Sequence, residues 1–85
     1  MKTFTFKVTD PQGLHARPAG VLVKATAEFE SKITIVKNGR EADAKRLLNL
    51  MSLGIKSGEE ITVNVEGADE ENAATSLQDF FQKNL

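Results

Sequence analysis

The sequence contains no cysteine, no tryptophan and no tyrosine, and only one histidine among 85 residues. Without cysteine there is neither a disulfide framework nor a thiolate metal site, and a single imidazole cannot complete a zinc site. No bound metal is therefore expected. No apolar run approaches the roughly 20 residues of a membrane span, and Met1-Lys2-Thr3-Phe4-Thr5 lacks the apolar centre of a signal peptide. The expected setting is cytoplasmic, without membrane insertion. Eleven basic residues against twelve acidic ones leave a net charge of −1, which denies the chain the basic stripe of a nucleic-acid binder. Internal repeats and low-complexity tracts are missing too.

With no linker in sight, residues 1–85 are expected to form one domain. Surface scaling gives a chain of this mass about 5,000 Å² of folded surface against about 13,500 Å² extended, so roughly 60% is buried. A deep, water-excluding cavity would consume that core. Chemistry is therefore expected on the surface, with a partner supplying the rest of any reaction site.

From Lys2 to Val8 the apolar residues Phe4, Phe6 and Val8 alternate with polar ones, the period of a half-buried strand. Asp10-Pro11-Gln12-Gly13 is a turn cluster, after which Leu14 is an anchor for the core. The spacing of Ala19, Leu22, Val23, Thr26 and Phe29 predicts an amphipathic helix over 16–29, with the Thr26 hydroxyl returned to the Leu22 carbonyl. Its other face, made of Arg17, Gly20, Lys24 and Ala27, is positive and flat. Gly20 costs about 1 kcal/mol against alanine in a helix and would let another protein approach closely.

Lys32–Lys37 alternates as a strand, and Asn38-Gly39 suits a hairpin turn that needs positive φ at both central positions. A short return strand over 40–44 follows. Residues 45–53 read as a short helix closed by Gly54. At about 100° per residue, Leu47, Leu48 and Met51 share one arc while Leu50 and Leu53 share another. An edge helix buries one arc. Leu50 and Leu53 are assigned to the core, and Leu47, Leu48 and Met51 to an exposed apolar patch of the kind that docks a protein. Ile61, Val63 and Val65 mark the last strand. Asp69 is expected to cap a final helix with Glu70 and Glu71 in its first turn and Ala73, Ala74, Leu77, Phe80 and Phe81 as its core stripe. All five phenylalanines fall at core positions, so no aromatic platform for bases remains. The order β-α-β-β-α-β-α makes an α+β domain with helices on one face of an antiparallel sheet.

The lone histidine sits in Gly13-Leu14-His15-Ala16-Arg17-Pro18-Ala19. Placed just before the first turn, His15 has the free N–H groups of Ala16 and Arg17 beside it, and the helix dipole adds positive charge. That is an anion site. Pro18 falls in the first turn, where its missing N–H interrupts nothing. Arg17 precedes a proline, however, which disfavours helical geometry there and can move the helix start by a residue or two.

Positive charge on both sides favours the neutral, nucleophilic imidazole. A phosphoryl group taken by a ring nitrogen would lie against those N–H groups, with Arg17 pairing with its oxygens. A phosphoramidate gives its phosphate away readily where a serine ester would hold it, so the motif suits a carrier. No serine stands in a nucleophile motif beside His15 and no phosphate-cradling glycine loop occurs, so a hydrolase with His15 as base lacks both nucleophile and pocket. The competing reading is a regulatory docking module that uses the apolar patch and is never phosphorylated. His15 beside Arg17 favours the carrier.

The histidine motif, together with Met51-Ser52-Leu53-Gly54 and Gly67-Ala68-Asp69-Glu70-Glu71, resembles the HPr family, the histidine-containing phosphocarriers of the bacterial phosphoenolpyruvate:sugar phosphotransferase system, over essentially the whole chain. The resemblance implies an HPr-like open-faced β-sandwich, a four-stranded antiparallel sheet with three helices on one face. It also implies that His15 takes phosphate on Nδ1 from phosphorylated Enzyme I and passes it to the IIA components of sugar permeases. Arg17 then matches the arginine that assists transfer, and Leu47, Leu48 and Met51 match the docking helix. The carrier so implied is a monomer with no cofactor.

One position departs from the family. Many members, above all in Gram-positive bacteria, carry at position 46 a serine that an ATP-dependent kinase phosphorylates, and this chain has Arg46. That switch is expected to be missing. Lys45 and Arg46 also set two cations at a helix start, unfavourable by about 0.3–1 kcal/mol each if exposed; either solvent screens them or they serve an acidic partner, and the second reading is preferred.

Overall fold

The computed structural model describes all residues, 1–85. Seven elements follow the expected order: β1 (Lys2–Lys7), α1 (Ala16–Ala27), β2 (Lys32–Lys37), β3 (Arg40–Asp43), α2 (Leu47–Met51), β4 (Glu60–Glu66) and α3 (Glu70–Asn84). The four strands form one antiparallel sheet in the order β1-β4-β2-β3. The β2–β3 hairpin turns through Asn38 and Gly39 with φ of 51° and 80°, both positive as its turn type requires. The helices cover one face of the sheet, and the other is left to polar residues such as Thr3, whose hydroxyl donates to Asn64 Oδ1 at 2.9 Å. This is the open-faced sandwich. Its accessible surface of 4978 Å² matches the scaling expectation.

The alternation in β2 and β4 puts Ile33, Ile35, Ile61, Val63 and Val65 into one core with Leu22, Leu50, Leu77 and Phe81. Leu14, Leu50 and Leu53 are buried, as their spacing indicates. Of the five phenylalanines only Phe81 is fully buried. Phe4, Phe6, Phe29 and Phe80 are partly buried around it, with the Phe4, Phe6 and Phe80 rings 5.8, 5.3 and 6.1 Å from its ring.

Local expectations are corrected in three regions. First, α1 ends at Ala27 rather than Phe29, because the Phe29 N–H turns tightly back to the Thr26 carbonyl at 3.1 Å. The Thr26 hydroxyl donates not to Leu22 but to the carbonyls of Val23 (2.8 Å) and Ala44 (3.1 Å). It therefore ties α1 to the segment leading into α2, and a polar group with no exposure is satisfied.

Second, α2 is a five-residue helix that begins at Leu47. Lys45 stays outside it, held by Asp43 Oδ1 accepting its N–H at 2.9 Å and by its own Nζ donating to the Phe29 carbonyl at 2.6 Å. Third, the Asp69 side chain does not cap α3. Its carboxylate reaches across to accept the N–H groups of Glu30 (2.9 Å) and Ser31 (3.0 Å) and the Ser31 hydroxyl. The start of α3 is thereby fastened to the loop that follows α1.

Candidate functional site

The histidine loop is positioned by backbone rather than by side chains. Gly13 adopts φ +68°, and a Cβ there would lie 2.5 Å from the Ile55 oxygen and 2.8 Å from the Lys56 Cα. Only glycine lets the two segments approach this closely. The Leu14 N–H then donates to the Ile55 oxygen at 3.0 Å, and the buried Leu14 side chain anchors the turn. On the other side of the turn, the N–H groups of Thr9 and Asp10 both donate to the Leu85 oxygen, at 2.7 and 2.8 Å. His15 is thus delivered to the start of α1 by a loop fixed at both ends.

His15 is the N-cap residue of α1, with extended backbone (φ −87°, ψ −175°) and a carbonyl that accepts the first helical bond, from Ala19 N–H at 3.0 Å. Its side chain makes no capping bond. The N–H groups of Ala16 and Arg17 precede that first bond, and no side chain takes them up. Arg17 is helical despite preceding Pro18, so the start does not shift. Pro18 is buried and Arg17 is exposed with no ion pair.

The imidazole is 31% exposed, with Nε2 turned toward Asp10 Oδ1 at 4.0 Å. Asp10, His15, Arg17, Pro18, Val21 and Asn84 line one open depression of about 250 Å³. A part-exposed imidazole and a guanidinium with no ion pair therefore share one shallow site, beside a helix start whose first N–H groups are unused.

Three of its members were not singled out from the sequence. Asp10 lies five residues before His15, and the tight turn, closed by Gly13 N–H on the Asp10 oxygen at 2.9 Å, brings it back. Val21 is 46% exposed, and its absence from the apolar stripe of α1 was the available signal. Asn84 comes from the far end of the chain, and no local pattern points to it.

The arc assignment in α2 agrees with the structure. Leu50 and Leu53 are buried, while Leu47, Leu48 and Met51 are 39%, 83% and 38% exposed. On α1, Lys24 is exposed and Gly20 half-buried, and a Cβ at Gly20 would meet nothing within 4 Å. The two expected free cations reduce to one. Lys45 is spent on the Phe29 carbonyl, whereas Arg46 is 80% exposed, with Nε 3.9 Å from Asp43 Oδ2. No group of three or more histidine or carboxylate side chains is arranged to hold a metal ion, and no helix is long and apolar enough to cross a membrane.

An open-faced α+β sandwich with an uncapped histidine at its first helix start has the architecture of a phosphohistidine carrier. The family model described as "PTS HPr component phosphorylation site" matches residues 2–83. The phosphocarrier protein HPr of Mycoplasma genitalium is 41% identical over 85 residues, spanning 99% of this chain and 97% of its own length. That of Buchnera aphidicola is 45% identical over 74 residues, 87% of each chain. The crystal structure of HPr-C-His from Thermoanaerobacter tengcongensis superposes with a TM-score of 0.94 at 36% identity, covering 99% of this chain and 94% of that one. The chain belongs to the HPr family of phosphotransferase-system phosphocarriers.

Proposed function

We infer that His15 is the phosphoryl acceptor, taking the group on Nδ1 from phosphorylated Enzyme I and handing it to the IIA components of sugar permeases. The observation that carries this is the open start of α1, where a part-exposed imidazole and the unpaired Arg17 line one depression, beside Ala16 and Arg17 N–H groups that have no partner. The Nδ1 lone pair attacks phosphorus as the donor's bond to phosphorus breaks. The phosphoryl oxygens then find the N–H groups of Ala16 and Arg17 and the Arg17 guanidinium, which favour negative charge at a helix N-terminus. The second transfer runs the same step outward, so the site must bind the group without holding it. An open depression suits that better than an enclosed cavity.

Because the site is half a site, each partner must bring the rest. Leu47, Leu48 and Met51, with the flat stripe of Gly20 and Lys24, form the surface on which partners dock, and Arg46 adds an exposed cation to its edge. Arg46 offers no hydroxyl, so a kinase acting on a serine at this position has no target here. The carrier is read as a cytoplasmic monomer.

The test is incubation with Enzyme I, phosphoenolpyruvate and magnesium. An acid-labile, base-stable phosphate that His15→Ala abolishes is the expected result, and no transfer from a competent Enzyme I would sink the reading in favour of a docking module. For the patch, Leu47→Asp is expected to raise the KM for both partners while leaving Tm nearly unchanged. A large loss of stability would instead make Leu47 a core residue.

A further inference from the structure

We propose that Asp10 is a positioning residue that fixes the tautomer of His15, keeping the ring proton on Nε2 and so leaving Nδ1 as the nucleophile. This deepens the phosphoryl-carrier reading and rests on it. Three bonds of its own and two at its neighbour hold Asp10 still. Its N–H donates to the Leu85 oxygen at 2.8 Å, its own oxygen accepts the Gly13 N–H at 2.9 Å, its Oδ1 accepts the Gln12 N–H at 2.9 Å, and the adjoining Thr9 is fixed by N–H and hydroxyl bonds to the Leu85 oxygen at 2.7 and 3.0 Å. The same Oδ1 stands 4.0 Å from His15 Nε2, and both side chains are only about a third exposed, at 28% and 31%. Apart from Arg17, no other charged side chain lines the depression.

A neutral imidazole carries its proton on one nitrogen and a lone pair on the other, and the partner of the first decides which is which. A carboxylate can only accept. Facing Nε2, it favours the form in which that nitrogen bears hydrogen, either directly as the contact tightens or through one bridging water. The lone pair is then confined to Nδ1.

During transfer the N–P bond forms at Nδ1 and the donor's bond to phosphorus breaks with its electron pair leaving on the donor. The ring gains positive character while the Nε2 proton stays in place. Asp10 stabilises that charge without removing the proton. It also repels the incoming phosphoryl group, but phosphorus bonds to the ring nitrogen that does not face the carboxylate, and Arg17 offsets the negative charge there. Asp10 and Arg17 thus divide the work, one acting on the ring and the other on the phosphate.

The test is long-range ¹H–¹⁵N correlation on uniformly ¹⁵N-labelled protein at a pH where His15 is neutral, since the two tautomers give distinct pairs of ring-nitrogen shifts. The Nε2–H form is expected to dominate in the unaltered protein. Asp10→Ala should move the population several-fold toward the Nδ1–H form, and Asp10→Asn, which keeps the bond to Gln12 but loses the charge, should give an intermediate value. Both variants should lower kcat for acceptance from Enzyme I several-fold with KM unchanged.

An unchanged tautomer ratio in both variants would overturn the proposal, as would dominance of the Nδ1–H form in the unaltered protein. The NMR measurement needs no phosphoryl donor. A tautomer shift with no phosphorylation of the unaltered protein would therefore remove the carrier reading and leave the Asp10–His15 coupling. Normal phosphorylation without a shift would do the reverse.

Discussion

The starts of α1 and α3 sit in the same small protein and are built to opposite ends. At α3, Asp69, Glu70 and Glu71 bring acid to the positive end of the helix dipole, and each has a partner. Asp69 holds Glu30 and Ser31, Glu70 accepts the Gly67 N–H at 3.1 Å and pairs with the Met1 ammonium at 2.9 Å, and Glu71 meets Lys2 at 3.5 Å. At α1 there is no acid in the first turn, the N-cap side chain makes no bond, and a free arginine adds positive charge to an end that is already positive. The acids at one start are tied to their own chain, whereas the other start carries no acid and an unpaired cation. On the proposed function, the difference separates a start where stability is gained from one where it is forgone for a visiting anion.

The comparison breaks most sharply at His15→Asn. Asparagine is among the best N-caps and is not a nucleophile, so phosphoryl uptake should vanish altogether. The helix start, now closed from within, should gain about 1 kcal/mol, raising Tm by roughly 4–8 °C in a domain of this size. Radiolabelled phosphoenolpyruvate and thermal unfolding by circular dichroism measure the two effects. A variant that lost both activity and stability would show that the imidazole is structural.

At α3 the corresponding change should cost stability and spare transfer. The Ser31 hydroxyl and the Glu30 and Ser31 amides hold the Asp69 carboxyl below the ordinary aspartate value of 3.8. The unfolded chain therefore takes up this proton at higher pH than the folded one. The contribution is present in full above the ordinary value and is lost as pH falls through the lowered one. Asp69→Asn should lower Tm at pH 7 and flatten the fall in stability below pH 3.8, with phosphoryl transfer at 25 °C unchanged. Ser31→Ala, which removes one bond to a charged group from a fully buried site, should cost about 1.5–3 kcal/mol.

Much of this asymmetry was legible from residue order alone, because it is local. A histidine before an alanine-rich helical pattern with proline in its first turn, and an acidic triplet before another, are both one-dimensional signals. So were the strand alternation, the Asn38-Gly39 hairpin and the two leucine arcs, each set by a fixed periodicity. What escaped was long-range. Asp69 looks like a cap because capping is a local rule, yet its partners are 38 and 39 residues away. Lys45 looked like a surface cation until the Phe29 carbonyl appeared 2.6 Å from its Nζ. Asp10 and Asn84 join the depression only because a turn and the last helix converge there. Periodicity reports which face is buried, whereas the partner across the fold depends on packing that no window contains.

The mildest test concerns Gly20, one turn into the open helix. Alanine there would place its Cβ in empty space and should stabilise α1 by roughly 0.5–1 kcal/mol by restricting the unfolded chain. Nothing in this chain requires the glycine's lack of a side chain. If α1 is open because partners complete it, the methyl group should raise the KM for Enzyme I or for a IIA component while stability rises. Folding and function would then pull in opposite directions at this position, as at His15. If KM stays unchanged, the flat stripe is incidental and the open part of α1 ends with its first turn.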